Sequence, residues 1–182
     1  MPLSVLIISC SLNTLSRSHL LAQTAETAIR NLDFNAELVD LREWELPLCD
    51  GRDSLSHPSV APLAAKITRA SAVLVASPIY NYDLNAVAKN VVELTGTAWS
   101  EKPVGFLCTA GGRSSYMSPI GLANSLMFDF RSLIIPRFVY AVKDDFKDNG
   151  DLSDQLRARL DDLVQATVDL ARALAWLKVT DS

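Results

Sequence analysis

Residues 3–19 read LSVLIISCSLNTLSRSH. An apolar run, Leu3 to Ser9, ends against a cluster of small polar side chains. The run is short and almost continuously apolar, which is what a strand buried on both faces of a sheet requires. From Ser16 the pattern turns helical, with Leu20 or Leu21, Ala25, Ala28, Ile29 and Leu32 falling on one face. Strand, hydroxyl-rich turn and helix follow each other without a linker.

The same alternation continues outward. Ala36 to Leu41 reads as a second strand, and residues 42–58 as a long polar loop. Val60 to Ala70 is helical, and Ala72 to Ser77 (AVLVAS) is a third strand. Leu84 to Thr97 is a helix, Val104 to Thr109 a fourth strand and Ile120 to Ser132 a helix. Leu133 to Val142 holds a fifth strand interrupted by Pro136. Asp151 to Lys178 is a long last helix, with Asp151 or Ser153 as its cap. Alternating strands and helices of this kind imply an α/β fold: a five-stranded parallel sheet with helices on both faces and right-handed crossovers. The chain has 182 residues and no repeat or low-complexity segment, so one domain over 1–182 is expected.

The bulk numbers exclude several classes. Lys+Arg total 17 and Asp+Glu 21, a net charge of −4. That balance argues against a nucleic-acid partner and against a basic membrane surface. No run reaches the ~18 apolar residues of a membrane span, and no charged leader marks a signal peptide. Neither membrane insertion nor secretion is expected. Cys10, Cys49 and Cys108 are odd in number and widely spaced, so they read as reduced thiols of a cytoplasmic protein. Cys10 reads as a small core residue rather than a nucleophile. His19 and His57 are too few and too scattered for a metal site.

Open parallel sheets bind ligands at the carboxyl ends of their strands. Three loops lie there: 9–18, 77–84 and 109–117. The first leads into a helix N-terminus, where unpaired N–H groups and the dipole favour an anion. Hydroxyls of Ser9, Ser11, Ser16 and Ser18, the Asn13 amide and the Arg17 charge add donors. Capping by Ser16 is compatible with that role. The loop lacks glycine, so neither dinucleotide nor triphosphate fingerprints apply, and a monophosphate is indicated. The second, Ser77-Pro78-Ile79-Tyr80-Asn81-Tyr82-Asp83-Leu84, frames an amide between two aromatic faces, which suits a planar heterocycle. The third begins Thr109-Ala110-Gly111-Gly112-Arg113, and its glycines let backbone come close to a ligand.

Taken in register, Ser11-x4-Ser16-x-Ser18, SPIYN…AVAKN and TAGGR resemble the NADPH-dependent FMN reductase family. The stretch VDLREWELPLCD, Val39 to Asp50, is similar too. The resemblance implies a flavodoxin-like three-layer sandwich with strand order 2-1-3-4-5. It implies FMN as cofactor, NADPH or NADH as co-substrate, and a small acceptor such as a flavin, quinone, azo compound or metal ion. Ser9, Ser11, Asn13, Ser16, Arg17 and Ser18 would surround the phosphate. Pro78, Ile79, Tyr80, Asn81 and Tyr82 would line the ribityl chain and ring. Thr109, Gly111, Gly112 and Arg113 would bring backbone donors to the pyrimidine edge. Asn90 would tie loops together. No side chain is implied as a catalytic acid, base or nucleophile.

The chain departs from the family pattern at Asn13 (arginine in the family), Ser18 (asparagine), Ile79 (acidic) and Ser114-Ser115 (two glycines). The proline after the second loop is also absent, with Leu84-Asn85-Ala86 in its place. Leu122, Leu126, Met127, Phe128, Phe130 and Leu133 cover more than one helix face, which with the family's habit points to a homodimer or homotetramer. Two other readings use the same fold: a flavodoxin-type electron carrier, and a flavin-free regulatory protein.

Overall fold

The apolar run becomes strand β1 (Ser4–Ser9), buried from Val5 onward. The structure, a computed structural model, describes residues 3–180, with side chains through residue 177. Residues 1, 2, 181 and 182 of the expected domain lie outside the described residues. β1 is the second strand of a parallel sheet. It pairs with β2 (Asn35–Asp40) on one side and with β3 (Ala72–Tyr80) on the other. Beyond β4 (Asp83–Leu84), which only pairs with the end of β3, come β5 (Pro103–Thr109), β6 (Leu133–Ile134) and β7 (Val139–Ala141). The sheet order is β2-β1-β3-β5-β6.

The five parallel positions therefore follow the expected order. The fifth is split. β6 pairs with the start of β5 and β7 with its end, leaving Pro136 in the gap. Proline cannot donate to a ladder, so the break falls where the sequence placed it.

Side-chain alternation along the strands feeds two cores. Val5 and Ile7 face α1 (Arg17–Arg30) and α5 (Asp154–Thr180), where Leu21, Ala25, Ile29, Leu156, Leu160 and Leu163 are fully buried. Leu6 and Ile8 face α2 (Val60–Arg69), α3 (Ala86–Thr95) and α4 (Ile120–Phe130). Each buried leucine or isoleucine contributes roughly 1.5–3 kcal/mol by leaving water. Trp99 is the largest fully buried side chain, and its indole N–H donates to Thr95 Oγ1 at 2.8 Å.

One expectation needs correction. β3 does not stop at Ser77 but runs through Pro78 and Ile79 to Tyr80, then folds back through β4. Its last residues are strand rather than loop because Pro78 and Thr109 still pair across to β5. Of the two expected caps of α5 the structure selects Ser153, whose hydroxyl accepts from the Leu156 N–H. The polar stretch at 42–58 carries two short 3-10 turns, Leu41–Glu43 and Asp53–Ser56. No helix among the described residues is long and apolar enough to cross a membrane.

Candidate active site at the carboxyl ends of the strands

All three loops open onto one cleft of about 200 Å³. Ser11, Asn13, Ser16 and Arg17 line one end, Pro78, Ile79 and Tyr80 one wall, and Thr109 and Gly111 the other. Leu15, Ala110 and Ala141 complete the lining and were not singled out by the sequence. Leu15 carried a signal in hindsight, as an apolar residue in a polar loop, exposed to 88%. Six expected residues stand outside this lining: Ser9, Ser18, Asn81, Tyr82, Gly112 and Arg113.

The first loop is shaped by its own side chains. Ser11 Oγ accepts from the Asn13 N–H at 3.3 Å, and Asn13 Oδ1 accepts from the Leu15 N–H at 2.9 Å. Ser16 caps α1 by accepting from the His19 N–H at 3.2 Å, and its hydroxyl also bonds Ser18 Oγ at 2.9 Å. Ser18 is fully buried, so it stands behind Ser16. The N–H groups of Arg17 and Ser18 belong to the first helical turn, where no intrahelical acceptor exists. Arg17 lays its guanidinium over the Phe146 ring, 5.6 Å from the centroid.

Ser9 is turned away. It is fully buried and shares a 3.0 Å hydrogen bond with His19 Nδ1. Asp40 Oδ2 lies 3.6 Å from the same nitrogen. Both partners meet one ring nitrogen, so serine, histidine and aspartate here form no proton relay. Asp40 is also gripped by the Arg42 side chain, whose Nη1 reaches the Thr14 carbonyl at 3.4 Å. Partial burial works to raise the Asp40 carboxyl, but hydrogen bonds from the Arg42 side chain and backbone, with the His19 and Arg42 charges, hold it below its ordinary value. This network fixes the back of the first loop.

The second loop is a two-residue hairpin. Asn81 and Tyr82 both take left-handed backbone, φ 52° and 66°, as the twist of a tight hairpin demands. Asn81 tolerates that conformation and tyrosine does so at a cost. Both project from the tip, and Tyr82 is exposed to 67%. Tyr80, on the strand before the tip, keeps its face open to the cleft.

The third loop hangs on Tyr140. The Tyr140 hydroxyl donates to the Gly112 carbonyl and bonds Ser115 Oγ at 2.7 Å. Ser115 thus has a partner where the family carries glycine. Arg113 points outward to Asp145, 3.4 Å away. A Cβ built on Gly111 or Gly112 would meet nothing within 4 Å. Neither glycine has a positive φ. The fold does not need glycine at either position.

Cys10 and Cys108 are buried, and burial pushes the Cys10 thiol up to about 12 and Cys108 upward as well. Neither is a thiolate, so neither is a nucleophile. Asn90 ties α3 to the long loop between β2 and α2: its Oδ1 accepts from Cys49 N–H at 2.8 Å and its Nδ2 donates to the Pro47 carbonyl at 2.9 Å.

A helix start with free N–H donors, hydroxyls beside it and a flat open channel bounded by Tyr80 and bare backbone suit a planar ligand that ends in a phosphate. FMN has that shape. Comparison with known proteins agrees. The chain is 24% identical over 141 residues to an NAD(P)H-dependent FAD/FMN reductase of Geobacillus thermodenitrificans, 76% of each chain being covered. Its fold is similar to that of FerB, a flavoenzyme NAD(P)H:(acceptor) oxidoreductase from Paracoccus denitrificans, with TM-score 0.76, 22% identity and coverage of 93% and 97% of the two chains. It is also similar to an apo NADH:FMN oxidoreductase, with TM-score 0.78, 17% identity and coverage of 94% and 89%. The family model for NADPH-dependent FMN reductase matches residues 3–147, and the chain belongs to that family.

Proposed function

We propose that the cleft holds FMN with its phosphate against the 11–18 loop and its ring between Pro78–Tyr80 and Thr109–Gly112, and that the enzyme reduces a small acceptor there with electrons from NAD(P)H. The observation that carries this reading is the meeting of the three loops in one cleft. Bound FMN supplies the two-electron chemistry between nicotinamide and acceptor. The chain's own residues bind and orient. Ser11, Ser16 and the N–H groups of Arg17 and Ser18 donate to the phosphate. Pro78 and Tyr80 set the plane of the ring. The Gly111 and Gly112 N–H groups stand where negative charge on the pyrimidine side is stabilised. Ser9 and Ser18 act behind the phosphate loop, and Arg113 and the Asn81-Tyr82 tip act at the rim. No protein group needs to move a proton.

The enzyme works as a homo-oligomer in this reading. Ile120, Met127 and Phe128 leave an apolar face on α4, with Phe128 exposed to 80%. Its three free cysteines suit the reducing cytoplasm. The test is an absorbance spectrum of protein mixed with FMN, desalted, then given NADPH or NADH without oxygen. Retained flavin bands that bleach support the reading. Retained bands that neither nucleotide bleaches overturn it in favour of an electron carrier. No retained flavin, with a failed titration, overturns the flavin site itself.

A further inference from the structure

The two glycines of the third loop have little of their own to fix them. A Cβ on either would touch nothing within 4 Å, so no packing holds the backbone there. Glycine without neighbours is free to turn. The ends of the stretch are tied. The Ala110 N–H donates to the Ala141 carbonyl at 2.9 Å, and Arg113 reaches Asp145 through a largely exposed side chain. Between those ends the Gly112 carbonyl accepts from the Tyr140 hydroxyl.

Tyr140 is a fixed point. It is buried, and it sits on β7 opposite Cys108 of β5. Its backbone carbonyl accepts from Arg159 Nη1 at 3.0 Å, and its ring meets that of Tyr116 edge-on, 5.5 Å between centroids. A phenol has one hydrogen to give. That hydrogen goes to Gly112, so in the 2.7 Å bond with Ser115 the serine donates. The bonds therefore run in one direction, from Ser115 to Tyr140 to the Gly112 carbonyl, and each strengthens the next. Ser115 stands where the family pattern has glycine, so that pattern lacks the first donor of the series.

The consequence falls on the other edge of the peptide. In a planar trans peptide the N–H points opposite the C=O. With its carbonyl on Tyr140, the Gly112–Arg113 peptide turns the Arg113 N–H away from the tyrosine. Accepting a hydrogen bond at the carbonyl also makes that N–H a stronger donor. In the flavin reading proposed above, hydride from NAD(P)H leaves one negative charge on the pyrimidine side of the ring, beside this loop. Donors fixed there in advance favour the reduced flavin over the oxidised one. We propose that Tyr140 is a positioning residue: with Ser115 behind it, it holds the Gly112–Arg113 peptide for the reduced flavin and raises the reduction potential of the bound cofactor. This rests on the flavin reading of the cleft.

The test compares wild type with Tyr140→Phe and Ser115→Ala. Oxidised FMN is titrated into flavin-free protein, and the midpoint potential of bound FMN is read by equilibration with a dye of known potential. Tyr140→Phe keeps the ring and loses the hydroxyl. Its affinity for reduced FMN should fall about ten-fold more than its affinity for oxidised FMN. The potential then drops by about 30 mV, the equivalent of ten-fold in a two-electron couple. Ser115→Ala should shift it in the same direction by less. A residue that only shaped the loop would weaken both forms of FMN alike and leave the potential where it was. If the potential of Tyr140→Phe holds or rises, the inference is overturned while the flavin reading stands. If Tyr140→Phe does not fold, an unchanged potential in Ser115→Ala overturns it. If wild type binds no FMN, the reading of the cleft fails and takes the inference with it.

Discussion

The side-chain amide of Asn85 donates to the backbone carbonyl of Cys10 at 2.7 Å, joining the second loop to the first across the sheet. The same side chain accepts from Ser77 Oγ at 3.0 Å and from the Ala88 N–H at 3.2 Å, so it also caps α3. Asn85→Ala strips partners from three buried groups. The expected loss is about 2–4 kcal/mol in urea unfolding, well beyond a surface substitution. FMN affinity should fall with it, since the two loops lose their common anchor. An Asn85→Ala protein of wild-type stability would contradict the network.

Ser16 has one role seen in the structure and one proposed for it, and the two can be separated. Its cap to His19 is worth about 1 kcal/mol of stability. Its donation to a phosphate is worth about 1.5 kcal/mol or more, roughly ten-fold in affinity. Ser16→Ala should therefore weaken FMN ten-fold or more while leaving riboflavin, which has no phosphate, nearly unchanged. Equal losses for both flavins would place the phosphate elsewhere.

The glycines of β5 and of the loop that follows it answer to different neighbours. A Cβ on Gly105 would lie 2.8 Å from Leu74 Cδ2 and 2.9 Å from Leu163 Cδ1, and both leucines are fully buried. Gly105→Ala should cost about 1–3 kcal/mol of stability. Gly111→Ala and Gly112→Ala meet no protein atom and should leave stability within about 0.5 kcal/mol. Their loss should appear only in flavin titration, where the methyl group meets the ring. Unchanged flavin affinity in both variants would show that the loop does not approach the ligand.

Asp40 gives the acid side of the stability profile a specific origin. Its folded-state pKa lies below its ordinary 3.8, so its stabilisation is complete above about pH 4 and is lost as pH falls through the folded value. Asp40→Asn should lower Tm at pH 7 and make the decline of Tm below pH 4 shallower. It should not abolish the decline. Asp50 and Asp154 are also held below the ordinary value, by hydrogen bonds from Ser54 and from Lys147. An acid limb of unchanged slope in Asp40→Asn would remove Asp40 from this account.

The order of the parallel sheet, the helix after Ser16 and the break at Pro136 were legible because each rests on local pattern: apolar runs, three-to-four spacing, and a residue without an N–H. The 9–18 loop was legible as a cluster of donors, but not which hydroxyls face outward. Ser9 and Ser18 differ from Ser16 only by what packs behind them, His19 for one and Ser16 itself for the other. The first contact joins β1 to α1, and no local pattern reports it. The extension of β3 through Pro78 was hidden for a related reason. Proline reads as a turn, yet near a strand end it still pairs with Thr109. The visible signal was Asn81, a residue that tolerates left-handed backbone, placed between two short runs.

Tyr82 stands beside it without that tolerance. A bulky side chain at φ 66° costs roughly 1–2 kcal/mol, because its Cβ crowds the following carbonyl. Its side chain is largely exposed, so packing recovers little of that. Glycine removes the strain but adds freedom to the unfolded chain, which offsets part of the gain. Tyr82→Gly should therefore stabilise the protein, by about 1 kcal/mol or less, as seen in urea unfolding. Strain kept at a site rim is explained when the residue acts there. In the flavin reading proposed above, the hairpin tip that follows Tyr80 lies at the rim of the cleft, and Tyr82 would meet what stacks on the outer face of the flavin. Turnover in Tyr82→Gly should fall several-fold through KM for the acceptor or the nicotinamide, with FMN affinity changed little. A variant that is both more stable and fully active would mean that the strain serves the hairpin twist alone.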